Sequence, residues 1–165
     1  MRARPQFKAP WGRLLVGTSS LATLLLLLVP VWVGASSNLP SAVRWPVMLI
    51  PVFLLGICGV FAVRGYTVRG GDLVVHRPLW DTHIPLTGMK TVEVRPRALS
   101  NAIRTCGNGG LFSFTGFFWS RTLGAFRAYV TDLHRTVVVR LVGRTVVVSP
   151  DDPEQFVRQL RAAQT

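Results

Sequence analysis

Two uncharged apolar runs, Leu14–Val33 and Trp45–Val63, constrain this chain more than any other feature. A bilayer core of about 30 Å takes roughly 20 helical residues at 1.5 Å rise, and both runs meet that length. The expectation is a two-helix transmembrane hairpin over residues 14–63, joined by the short loop Gly34–Arg44. A basic segment, residues 1–13, precedes it. Residues 64–165 follow, enough for one domain with a modest core of its own.

Charge orients the hairpin. The 165 residues carry 19 Lys and Arg against seven Asp and Glu, a net +12. Arg2, Arg4, Lys8 and Arg13 precede the first run with no acid among them, and the loop carries only Arg44. Arg64 and Arg69 follow the second run at once. The positive-inside rule then puts both termini on the cytoplasmic side of a plasma (inner) membrane crossed twice. Trp11 would mark the inner interface, and Trp32 and Trp45 the outer one, as in an aromatic belt. A signal peptide is the rival reading, with small residues at Val33-Gly34-Ala35. The first run is longer than the usual 7–15-residue signal core, so an uncleaved span is expected. Cys58 and Cys106 form no disulfide framework, which fits a reducing compartment.

After Val63 the pattern becomes short β segments, eight candidates for an expected fold of about seven strands. Gly65–Arg69 and Asp72–Arg77 flank Gly70-Gly71, a two-residue hairpin signal. Pro78-Leu79 turns the chain into Trp80–Leu86. Thr91–Arg95 and Ala125–Thr131 alternate, and Val137–Leu141 and Thr145–Val148 are joined through Gly143-Arg144. The stretch around Leu111–Trp119 contributes a further strand. A helix closes the chain: Ser149 reads as its N-cap and Pro150 as its first residue. Phe156, Val157 and Leu160 form its apolar stripe, with Arg158 and Arg161 facing away.

This order of strands and one closing helix resembles a pleckstrin-homology (PH) domain. At residue level, Tyr66–Val75 followed by Ile84-Pro85-Leu86-Thr87 looks like the opening of the bacterial members. Gly107–Phe112, Leu123-Gly124, Tyr129–Asp132 and Ser149–Phe156 resemble one bacterial subfamily. The fold class expected is therefore α+β: the transmembrane hairpin, then a PH-like β-barrel or roll closed by the C-terminal helix. The resemblance implies such a barrel, often tethered by membrane helices; it does not imply an enzyme, and no cofactor is expected.

Candidate sites follow, each with a plainer competitor. Arg64, Arg69, Arg77, Arg95, Arg97, Arg104 and Arg121 are candidates for contact with anionic lipid, at about 1 kcal/mol per charge near the surface; a solvated face is the alternative. Phe117, Phe118 and Trp119 break the alternation before Ser120 and Arg121. They are candidates for an exposed aromatic tip that enters the headgroup layer or binds protein; a core strand is the alternative, and the favoured one for Phe112 and Phe114. Gly107–Gly110 is an anion candidate that lacks a P-loop pattern; a turn or bulge is favoured. His76, His83 and Asp81 lack the ligand set of a zinc site. Asp132 and His134 lack a nucleophile elbow. No metal and no nucleic acid are expected. The function expected is lipid-surface or partner binding by a membrane-held domain. The alternative is a scaffold or assembly subunit, homo-oligomeric or heteromeric, that binds protein through residues 112–119.

Overall fold

The computed structural model describes residues 6–35 and 40–163. Arg2 and Arg4, and part of the loop between the two runs, lie outside the described residues. Helix α1 is Arg13–Ala35 and helix α2 is Ser41–Val60. At 1.5 Å per residue they are about 34 and 30 Å long, and both are long and apolar enough to cross a membrane. The rest of the protein covers little of either; of α2, Pro51 alone is buried. The guanidinium of Arg44 donates to the carbonyl of Gly34 (3.0 Å), so the one basic residue between the runs holds the C-terminal end of α1.

The remaining strands form two antiparallel-rich sheets. The first holds β1 (Phe7–Lys8), β2 (Gly65–Arg69), β3 (Asp72–His76) and β4 (Asp81–Pro85), in that order. The second holds β5 (Met89–Val94), β6 (Ile103–Gly109), β7 (Phe114–Ser120), β8 (Gly124–Val130), β9 (Val137–Leu141) and β10 (Arg144–Val148), in the order β5-β9-β10-β8-β7-β6. Helix α3 (Pro153–Ala162) closes the chain. Residues 64–163 thus hold nine strands rather than about seven. The two sheets meet face to face, and no ladder joins β4 to β6, so the expected barrel is an open roll.

The valine runs explain the second sheet. Val137 and Val139, with Val146 and Val148, pack into the core between the sheets, together with Tyr66, Leu73 and Phe156. Val138 and Val147 face the other way, into a second cluster with Phe118, Phe126 and Val130. A sheet buried on both faces takes continuous β-branched runs rather than alternation. The Gly70-Gly71 hairpin forms as read, with both glycines at positive φ (59° and 80°).

Helix α3 starts later than the sequence suggests. Asp152, not Ser149, is its N-cap; the carboxylate accepts from the backbone N–H of Gln155 (2.9 Å), and Pro153 takes the first position. The stretch from Ser149 to Pro153 contains two overlapping cap-and-proline patterns, and β10 runs to Val148, leaving Ser149 in the core. Its hydroxyl accepts from the N–H of Thr131 (2.8 Å) and ties β10 to the end of β8. The apolar stripe of Phe156, Val157 and Leu160 is buried as expected. Arg161 does not face away; it donates to the Val92 carbonyl (3.3 Å).

Both ends of the hairpin are built into the domain. The segment before α1 pairs with β2, with Phe7 opposite Tyr66. Phe7 is buried against Phe156, ring centroids 5.1 Å apart at a right angle. The amide of Gly12 donates to the Thr131 carbonyl (3.0 Å), and the Oγ atoms of Thr18 and Ser19 donate to that of Gly110 (3.1 and 3.2 Å). Past α2, the Phe61 ring meets Trp80 edge to face, centroids 5.0 Å apart.

Candidate functional site

A cleft of about 600 Å³ opens where α2 meets the seam between the sheets. Its walls come from three places: the end of α2 (Ile57, Cys58, Phe61), the β3–β4 connection with Arg77 and Trp80, and the β6–β7–β8 part of the second sheet. Three arginines line it, Arg77, Arg104 and Arg127, and no Asp or Glu does.

Arg77 is the unusual member. Only 6% of it is exposed, and its guanidinium lies against three rings, 5.5 Å from the centroid of Phe61, 5.6 Å from Trp80 and 5.3 Å from Tyr129. Ring faces satisfy a cation from above and below. They do not satisfy the N–H donors in the guanidinium plane, of which there are five. The Nε of Arg77 is buried with no hydrogen-bond partner, and so is the hydroxyl of Tyr129. Burial lowers the Arg77 pKa from its ordinary value, and the charge of Arg127 lowers it further, against an opposing pull from Tyr129. Burial raises that of Tyr129, while Arg127, Arg77 and Arg144 pull it back.

Arg127 stands 5.2 Å from the Phe117 ring centroid and 5.3 Å from that of Tyr129, on the same face of β8 and β7. Arg104 lies flat over the hairpin: a Cβ on Gly109 would fall 2.3 Å from its Nη1. The acids that form ion pairs do so elsewhere. Asp81 holds His76 (3.0 Å), Asp72 is 3.7 Å from His83, and Asp132 is 3.7 Å from Arg135. An ion pair among the described residues therefore does not neutralise the cleft.

Of the basic residues singled out from sequence, the structure brings Arg77 and Arg104 together. Arg64 is exposed directly after α2, while Arg69 ends β2 roughly 13 Å along the strand, at about 3.3 Å per residue. Arg121 sits at the β7–β8 turn, also exposed. Arg95 and Arg97 lie on the segment after β5, where the Arg97 amide donates to the Leu133 carbonyl (2.7 Å). Arg127, absent from that set, was hidden in an ordinary alternating strand. The signal was a lone Arg at the centre of GAFRAYV, a strand whose other residues suit burial on either face.

The aromatic run is a strand rather than a tip. Phe118 is buried in the second cluster (5% exposed), while Phe117 and Trp119 point to the opposite face, 54% and 44% exposed. Pairing with β8 across Phe114–Ser120 restores the period of two that the sequence disguised. Phe112 lies outside β7, at a bend. Gly107–Gly109 belong to β6, and the amides nearby are already engaged: Gly110 donates to the Ser113 carbonyl, Leu111 to Asn108 Oδ1 and Phe112 to Ser19 Oγ. Those three amides are therefore not free for an anion. His76 and His83 each face a different carboxylate, and the described residues contain no cluster that could hold a metal ion. Asp132 accepts from the backbone N–H of His134 (2.9 Å), a turn contact.

Comparison with known proteins agrees with this architecture. Residues 64–164 match the model of a family described as bacterial PH domain. No curated protein and no solved structure gives a significant match.

Proposed function

The chain belongs to the bacterial PH domain family, and on that premise we propose that it is a non-enzymatic membrane protein whose domain binds anionic lipid at the cytoplasmic surface. PH domains are in general non-catalytic binding modules, and two apolar helices precede this one. The observation that carries the reading is the cleft: three arginines, no acid, and a wall made by the end of α2. Unneutralised cations beside a membrane helix suit anionic headgroups. Arg64, exposed directly after α2, adds a surface contact; Arg69 and Arg121 sit at distant turns and contribute through the general positive field. The basic segment before α1 and the exposed Arg64 support cytoplasmic termini by the positive-inside rule.

The test uses the full chain, reconstituted into vesicles of phosphatidylcholine with one-third phosphatidylglycerol (roughly the level that gives a strongly negative surface). After gentle detergent extraction, the lipid that remains bound is enriched in phosphatidylglycerol over the vesicle composition. Bound lipid of unchanged composition would leave the helices as the only membrane contact and favour protein recognition.

A further inference from the structure

The cleft itself has a more specific occupant. We propose that it holds one anionic membrane lipid, whose phosphate meets the Arg77 Nε–H and the guanidiniums of Arg104 and Arg127, and whose acyl chain lies along Ile57 and Phe61 of the α2 end. The inference rests on the lipid-surface reading above and deepens it to one site and one ligand class.

Four observations converge. Arg77 lines the cleft and is more than nine-tenths buried, yet its Nε has no acceptor. Burying a charged donor unpaired costs several kcal/mol unless a partner arrives. Arg104 and Arg127 stand on the same cleft with exposed guanidiniums, so an anion entering from the mouth meets positive charge throughout. The apolar wall is contributed by α2, an element of membrane-spanning length, so the cleft is continuous with a surface suited to acyl chains. Its volume of about 600 Å³ falls within the range of small-molecule sites. A free phosphate would satisfy the donors and leave the Ile57–Phe61 wall bare. A protein segment would need to bring an acid and an apolar side chain past a mouth flanked by the exposed rings of Trp80 and Phe117.

The chain carries its own reporter. Cys106 is exposed on β6 and lines the cleft; the other thiol, Cys58, also lines it from α2. In the full-length Cys58→Ser variant, held in dodecyl maltoside, the rate of maleimide labelling at Cys106 is measured against added lipid. Phosphatidylglycerol slows labelling, while phosphatidylcholine and inorganic phosphate at the same concentration do not. Arg104→Gln, at an exposed position that leaves the core intact, raises the phosphatidylglycerol midpoint about tenfold, the worth of one charge-assisted hydrogen bond. Arg77→Gln raises it further. Equal protection by phosphatidylcholine would overturn the anion recognition, and equal protection by phosphate would overturn the lipid. Absence of protection by any of the three would overturn the site. The wider reading would survive that last result if phosphatidylglycerol still co-purified in excess.

Discussion

At the scale of single residues, Tyr66 does the most to join the two sheets. It is wholly buried on β2; its hydroxyl donates to the Tyr129 carbonyl (2.6 Å) and accepts from the Ser149 N–H (3.1 Å). Burial pushes its pKa up to about 12, with the Ser149 contacts pulling the other way. Because the folded value lies above the ordinary value near 10, the neutral form is favoured by folding. That stabilisation is fully present below about pH 10 and is lost as pH rises through about 12. Both tyrosines of the chain have raised pKa values, so absorbance at 295 nm should show no phenolate step near pH 10. In Tyr129→Phe, the remaining step should fall near 12. A step at 10 in that variant would mean that Tyr66 is reached by solvent. Tyr66→Phe leaves a buried N–H and carbonyl without this partner and should cost about 1–3 kcal/mol in thermal unfolding of the detergent-solubilised chain. None of this network was legible in the sequence. Ser149 reads as a helix cap because the cap pattern is local, whereas its actual partners, Thr131 and Tyr66, are brought to it by sheet topology. Arg127 escaped notice for the same reason: its cleft exists only once β8 lies beside β7.

At the scale of elements, legibility followed the range of the contacts. The β2–β3 and β9–β10 hairpins are set by turn residues within each pair, and Gly70-Gly71 and Gly143 announce them. The parallel pairing of β10 with β8 is not announced, because it joins strands separated by β9. Strand β6 was missed because Ile103–Gly109 is an exposed edge with no alternation to read. What holds it is a glycine pair facing across the β6–β7 ladder, Gly107 opposite Gly116, with φ of 118° and 137°. A Cβ on Gly116 would stand 2.2 Å from the Cys106 carbonyl oxygen, and one on Gly107 2.3 Å from that of Thr115. Backbone cannot yield as a side-chain end can. Gly116→Ala should therefore cost about 3 kcal/mol or more, combining conformational strain with overpacking. Gly71→Ala, also at positive φ but in open space, should cost about 1–2 kcal/mol. Chemical denaturation of the two variants side by side checks the order. Equal losses would show that the close approach is relieved elsewhere, and it would remove the reason for two glycines at that position.

At the scale of the whole molecule, the hairpin of two apolar helices is inserted between the first strand of the domain and the second. The family match begins at residue 64, yet β1, on the other side of both helices in the chain, supplies an edge to the first sheet and Phe7 to the core. The apolar spans were plain from sequence, but nothing in the short run Gln6–Ala9 marks it as a strand, since two paired residues carry no period. The arrangement ties the hairpin to the domain at both ends. The first turns of α1 reach the β6–β7 bend, where the Ser19 hydroxyl accepts from the Phe112 N–H (2.9 Å). Phe112 has a positive φ of 64°, a conformation costly for a bulky residue, so Ser19 and the nearby Trp11 ring stabilise a strained bend. An isolated fragment of residues 64–165 lacks all of these contacts. It should expose one edge of β2 and the faces of Tyr66 and Phe156 that Phe7 covers. The loss should approach that of Phe7→Ala in the full chain, about 3–5 kcal/mol for a buried Phe. Adding a synthetic peptide of residues 6–12 should raise the fragment's melting temperature in a concentration-dependent way, since binding to the folded state alone stabilises it by mass action. A peptide in which Phe7 is replaced by Ala should not. If the fragment melts where the full-length domain does and ignores the peptide, β1 adds nothing to the stability of the domain.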